Sequence, residues 1–207
     1  MSILSKLASS LHRRDEVPNQ ELAQHIVDKG DTIAVKELIE SLHHKSKDIQ
    51  HDCIKVLYEI GERKPELISD YVNDFIELLE HKNNRLQWGG MIALHSITLK
   101  NSKVIYDNLA KIIDAMDLGS VITNDYGISI LIRLCSIKQY TDTAFVLLIE
   151  QLINSPTNQL PMYAEKAIPI INDKNKKLFV STLSSRLIDI EKDTKRNRVE
   201  KVIKKYS

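Results

Sequence analysis

A small residue returns every 37 positions in this chain: Cys53, Gly90, Gly127 and Ala164. Three positions later come Val56, Ala93, Ile130 and Ala167, and one further come Leu57, Leu94, Leu131 and Ile168. Three beyond those come Ile60, Ile97, Leu134 and Ile171. A fixed period of this length means that each unit is one supersecondary element, which buries its apolar face only against its neighbours. The expectation is an array of stacked units whose terminal members differ from the middle ones.

Each period holds two amphipathic helices. Helix A carries apolar residues at i, i+3, i+4 and i+7, the spacing of one helical face. These are Val35, Leu38, Ile39 and Leu42, then Val72, Phe75, Ile76 and Leu79, then Leu109, Ile112, Ile113 and Met116. The next set reads Val146, Ile149, Glu150 and Ile153, with Leu152 standing in beside the glutamate. Helix B is entered at Ile49, Leu86, Thr123 and Leu160 and carries the small position and the Leu ladder. A residue with little or no Cβ lets helix backbones approach closely. Glycine there costs about 1 kcal/mol of helix propensity relative to alanine, which close packing must offset.

With 6 Gly and 5 Pro in 207 residues there is little turn chemistry for many short strands. The turns from A to B, at 43–47, 81–84, 118–120 and 154–158, are short. Cations follow helix B at Arg63, Lys64, Lys100, Lys138 and Lys174, where they complement the helix dipole. At the C-terminus Leu183, Leu187 and Ile190 continue helix A, and Val199, Val202, Ile203 and Tyr206 continue helix B. At the N-terminus Leu4, Leu7, Ala8 and Leu11 read as helix A, and Ala23, Ile26 and Val27 as helix B, followed by a short link at Gly30. The same N-terminal segment has the Ser and Arg content of a transit peptide, but its apolar spacing fits a first repeat helix better. One domain over 1–207 is expected: a capping hairpin at 1–30, regular repeats at 31–173 and a basic capping hairpin at 174–207.

Two-helix units with a small residue and a Val/Ala-Leu pair on helix B resemble HEAT or HEAT-like (armadillo-type) repeats. The unit of 37 residues is shorter than the usual HEAT length, and only Asp48 and Arg85 stand for the Asp and Arg that often ladder between HEAT turns. The resemblance implies an all-α fold: a right-handed α-α superhelix of about six two-helix repeats, with the B helices lining the concave face. It also implies binding of proteins, or less often nucleic acid, without catalysis.

The residues agree with a chain that is not an enzyme and needs no cofactor. Gly89 and Gly90 fall inside a helix and form no phosphate loop, and no H-E-x-x-H or paired C-x-x-C occurs. His43, His44, His51 and His81 invite a metal reading, with His44 and His81 one period apart. Stacked helices lie roughly 8–10 Å apart, too far for one zinc, so exposed turn histidines are the better reading. Cys135 follows the core ladder and lacks a His and Asp set. Two cysteines, one in the core register, argue against a disulfide framework and for a reducing, cytoplasmic setting. No apolar run approaches the roughly 18 residues of a membrane span.

The helix B positions facing away from the ladder form rungs across the repeats. They hold Asp52, Gly89, Tyr126 and Tyr163; Lys55, Ile92, Ser129 and Lys166; Tyr58, His95, Ile132 and Pro169; and Glu59, Ser96, Arg133 and Ile170. Tyr58, Trp88, Ile92, His95, Tyr126 and Tyr163, with Arg133 and Lys166, form an amphipathic aromatic strip off the core register. Large rigid aromatics of this kind are enriched at interface hot spots, so a protein or peptide partner is expected there.

The rival surface is electrostatic. Residues 174–207 hold eleven Lys or Arg against four acids, a net of +7 that leaves −6 on the rest. Lys195, Arg196, Arg198, Lys201, Lys204 and Lys205 cluster on the last helix. One HEAT-like branch removes alkylated bases from DNA through a basic concave groove, and a nucleic-acid reading would use this cap. Acids and bases nearly cancel on the rungs, and phosphate binding needs many cations, so that alternative is disfavoured.

Overall fold

The computed structural model describes residues 2–206. Among them there are twelve α-helices joined by turns and short 3-10 segments, with no strand. The chain divides into two compact units, residues 1–127 and 128–207, and the division falls within α8 (Val121–Cys135).

In the first unit the B helices are α1 (Val17–Lys29), α3 (Lys47–Arg63), α5 (Asn84–Ile97) and the start of α8. The A helices are α2 (Thr32–Glu40), α4 (Val72–Glu77) and α7 (Leu109–Leu118). The period is written into the backbone: α2 and α4 each finish in a 3-10 turn, Ser41–His43 and Leu78–Glu80, 37 residues apart. Cys53, Val56, Leu57, Ile60, Ala93, Leu94 and Ile97 are all fully buried. Gly30 closes α1 in the left-handed conformation, φ 62°, donating to carbonyls of the last turn.

Glycine at the small position presses helix B onto its own helix A. A Cβ on Gly90 would stand 2.9 Å from the Cβ of Leu78 and 3.1 Å from the carbonyl oxygen of Phe75. Gly89 instead faces the neighbouring B helix, where a Cβ would meet Ile54 Cγ1 at 2.4 Å. Consecutive glycines thus serve two packing directions.

The two-helix unit needs amending in two places. Before α4 the link is coiled into 3-10 segments Pro65–Leu67 and Ser69–Tyr71, and before α7 it forms a short helix, α6 (Ser102–Asp107). Buried Ile68 and Ile105 give each of these links its own anchor in the core. The N-terminal helix A also fails to form as an α-helix. Residues 3–6 make one 3-10 turn and the segment ends at His12, with only Ile3, Leu7 and Ala8 buried and Leu11 exposed. A piece this short cannot offset the cost of helix nucleation.

In the second unit, α9 (Thr141–Asn154) and α11 (Lys176–Arg186) act as A helices. The end of α8, α10 (Leu160–Ala167) and α12 (Asp193–Tyr206) act as B helices. Helix B keeps the beat through Ile130, Leu131, Leu134, Ala164 and Ala167, all fully buried. It departs at Ile168, where Pro169 cannot continue the helical hydrogen bonds and a 3-10 turn follows, Ile168–Ile170. Helix A slips by one residue: α9 buries Phe145, Leu148, Ile149 and Leu152 and exposes Val146 and Ile153. Arg186 ties α11 to α9, its guanidinium donating to the carbonyls of Leu152, Ile153 and Ser155. The last hairpin is packed into this unit, since Val199 and Val202 are buried and the Tyr206 hydroxyl donates to the Ile168 carbonyl at 2.9 Å.

Candidate functional site

In the first unit, α3, α5 and the start of α8 offer the rung residues. Lys55 and Glu59 lie one turn apart on α3, and their side chains meet at 2.7 Å while only 7% and 10% exposed. Glu16, at the start of α1, reaches Lys55 at 2.8 Å and Arg85 on α5 at 3.3 Å, and Arg63 joins Glu59 at 2.5 Å. Burial alone would draw the Lys55 pKa down, but the Glu16 and Glu59 carboxylates outweigh it and raise it. For Glu59 burial pushes up, and Lys55 with Arg63 carries the result below the usual carboxylate value.

The aromatic residues interlock with this network. Lys55 Nζ lies 4.9 Å from the Tyr58 ring centre, Tyr58 packs at 5.9 Å against Trp88, and Arg85 lies 5.9 Å over Trp88. His95 and Tyr126 meet edge to face at 5.2 Å. Trp88, His95 and Tyr126 are partly exposed. Burial raises the Tyr126 pKa first, then the carboxylates of Glu62 and Asp125, with Lys55 opposing. The surroundings of this ring are therefore acidic. The whole first unit carries 15 Lys and Arg against 20 Asp and Glu, and the second carries 14 against 8.

Three members of the expected strip are not on the surface. Tyr58 is 7% exposed, Ile92 5% and Tyr163 2%. Tyr58 belongs to the packing between B helices, against Trp88 of α5. Tyr163, in the second unit, is the largest fully buried side chain. A rung position next to the ladder points toward the neighbouring helix as much as outward. The second unit keeps Lys166 exposed, with Nζ 3.2 Å from Ser129 Oγ one period away, and Arg133 half-buried, with burial drawing its pKa down.

The basic cluster is partly consumed by folding. Arg198 makes a bidentate pair with Glu165 at 2.8 and 2.6 Å. Lys195 bonds to Asn158, and Arg196 donates to the Ile190 carbonyl at 2.7 Å. Lys205 lies 5.6 Å over the Tyr206 ring, and Lys201 and Lys204 are exposed.

The first unit also holds a polar cavity of about 530 Å³ that sequence reasoning did not find. Its walls are the turn through residues 8–16, Asn19 of α1, the first turns of α3 at Asp48, His51 and Asp52, and Arg85. Asp52 accepts from the Ser9 N–H and from the Asn19 amide, both at 2.7 Å. Arg13 grips Asp15 with two nitrogens at 2.9 and 2.8 Å. The rung position of Asp52 was the available signal. The turn that closes the cavity over it was invisible because that segment reads as a helix.

The histidines have a structural explanation. His44 Nδ1 accepts from the Ser46 N–H at 3.0 Å, and His81 Nδ1 from the Asn83 N–H at 2.9 Å. The period repeats them because each shapes the turn into a B helix. Among the described residues no three His, Cys, Asp or Glu come together as a metal site, and no helix is long and apolar enough to cross a membrane.

Several solved structures are similar to this chain. A designed armadillo repeat protein in complex with the peptide (KR)4 matches with TM-score 0.68 and 14% identity, over 91% of this chain and 87% of that one. Computationally designed armadillo repeat proteins for modular peptide recognition match with TM-score 0.66 and 12% identity, over 90% and 87%. An engineered protein matches with TM-score 0.61 and 20% identity, over 99% and 100%. No family model matches the sequence, and neither does any curated protein. Together with the twelve helices, these likenesses identify the fold as an all-α superhelix of armadillo-like repeats.

Proposed function

We propose that this protein is a non-catalytic binding scaffold that takes an extended, basic peptide segment of a partner protein on the B-helix face of its first unit. One observation carries the reading. Trp88, His95 and Tyr126 stand partly exposed on consecutive B helices, and Glu62 and Asp125 set an acidic field around Tyr126. A cationic side chain gains from both a ring face and a nearby carboxylate. The face's own cations are already spent: Lys55 and Arg63 on Glu59, and Arg85 on Glu16. The likeness to a designed armadillo repeat protein in complex with (KR)4, and to others designed for modular peptide recognition, supports the same class of ligand.

The second unit's excess of cations favours nucleic acid as the rival reading, but half of its cluster is bound to Asn158, Glu165 and Ile190. Fluorescence anisotropy with labelled (KR)4, an acidic octapeptide and a short single-stranded DNA separates the two. The reading expects salt-sensitive binding of (KR)4 alone. Binding of the DNA without (KR)4 would reject it.

A further inference from the structure

We propose that Tyr126 and Glu62 form an arginine subsite on the B-helix face of the first unit, which makes the bound peptide's arginines preferred over its lysines. The proposal rests on the peptide reading above and names the side chain that this face selects.

The chain builds the same constellation twice with its own cations. Lys55 Nζ lies 4.9 Å from the Tyr58 ring centre and meets Glu16 and Glu59 at 2.8 and 2.7 Å. Arg85 lies 5.9 Å over the Trp88 ring and reaches Glu16 at 3.3 Å. In both a cation sits between a ring face and a carboxylate, where the two attractions act together.

The ring and the carboxylate recur at Tyr126. Tyr126 stands on α8, edge to face with His95 of α5 at 5.2 Å, and among the described residues no Lys or Arg of the chain lies over its ring. The end of α3 reaches the same place. A Cβ on Gly61 would stand 2.3 Å from Ser96 Oγ, so α3 touches α5 beside His95, and Glu62 is the next residue. Burial raises the Tyr126 pKa first and the Glu62 carboxylate next, which sets Glu62 within electrostatic reach of the hydroxyl. Glu59 is already held by Lys55 and Arg63, and Glu16 by Lys55 and Arg85. Glu62 is exposed and makes no hydrogen bond or ion pair among the described residues.

Exposure decides between the two basic side chains. Lys55 is 7% exposed and has two carboxylates to replace its water. Tyr126 and Glu62 are open to solvent at least in part, as Trp88 and Arg85 are. An ammonium at such a place is strongly hydrated. A guanidinium is weakly hydrated, lies flat on a ring and forks a carboxylate with two N–H groups.

The test uses the full chain and two labelled peptides of equal charge, octaarginine and octalysine. Octaarginine should bind roughly tenfold more tightly, as a ring contact with a charge-assisted hydrogen bond implies. In Glu62→Gln and in Tyr126→Leu that ratio should fall toward one. Tyr126→Phe, which keeps the ring, should retain most of it. Glu62 is exposed, so Glu62→Gln should melt as the parent does, which separates lost selectivity from lost folding. Equal binding of the two peptides by the parent, or a preference that survives Glu62→Gln, overturns the subsite and leaves the peptide reading standing. Binding of neither peptide overturns the reading beneath it.

Discussion

Gly127 on α8 lies so close to Met116 on α7 that a Cβ would stand 2.3 Å from the Met116 sulfur. At the equivalent position a Cβ on Gly90 would meet Leu78 Cβ at 2.9 Å and the Phe75 carbonyl at 3.1 Å. The two contacts are not equally yielding. A thioether can swing aside, whereas a Cβ and a backbone carbonyl cannot. Gly90→Ala is expected to destabilise by about 1–2 kcal/mol. At Gly127→Ala the gain in helix propensity, about 0.8–1 kcal/mol, offsets most of the strain. Leucine at either position should cost about 3 kcal/mol. Urea titrations check the order, and equal stability of both alanine variants would contradict it.

The ion network on α3 should behave as a buried unit. Lys55→Ala leaves Glu59 shielded with only Arg63 beside it, at a cost of about 3 kcal/mol. Lys55→Ala with Glu59→Ala should recover part of that loss, which a double-mutant cycle measures. The Glu59 pKa is lowered on folding, so its stabilisation is present above the ordinary carboxylate range and is lost as pH falls through it. The parent should therefore lose stability on acidification more steeply than Glu59→Gln.

Cys53 and Cys135 are free and buried, and burial pushes both thiols up to about 12. Near pH 8 neither should react with a thiol reagent faster than the chain opens. Unfolded thiols ionise at their lower, ordinary value, so between that value and about 12 the native state binds more protons and stability falls as pH rises. Replacing both by alanine should flatten that fall by up to about 1.4 kcal/mol per pH unit for each thiol. Rapid labelling of the native protein at pH 8 would contradict the burial.

Removal of residues 194–207 takes away buried Val199 and Val202, the Arg198–Glu165 pair and the Tyr206 bond to Ile168. It also exposes Phe179, which packs at 6.3 Å against Tyr206. Aggregation or a markedly lower melting temperature is expected, since each hairpin buries its face only against neighbours. A truncated chain as soluble and stable as the parent would make α12 an appendage and its cations a binding tail.

The helix B ladder was legible because its requirements are local and periodic: a small residue where helices cross, then aliphatics at helical spacing. The slip in α9 was less legible, because Val146 and Phe145 are both apolar and only packing decides which turns inward. Tyr163 misled for a related reason, since a tyrosine at a rung position gives no sign of whether a neighbouring helix will cover it. The Glu16–Lys55 and Asp52–Ser9 contacts join residues about 40 positions apart and follow no period. They depend on a turn at residues 8–16 whose helical spacing hides the stop at His12.

The central claim is that the acidic, aromatic B-helix face of the first unit receives the ligand. It is tested most directly by the affinity of (KR)4 for two double variants. Trp88→Ala with Tyr126→Ala should weaken binding by at least about 2 kcal/mol, some thirtyfold, while the melting transition stays cooperative. Lys201→Glu with Lys204→Glu, in the second unit, should leave the affinity within twofold or slightly improved. Loss of binding in the lysine variant with full binding in the aromatic variant would contradict the account and move the site to the basic cap.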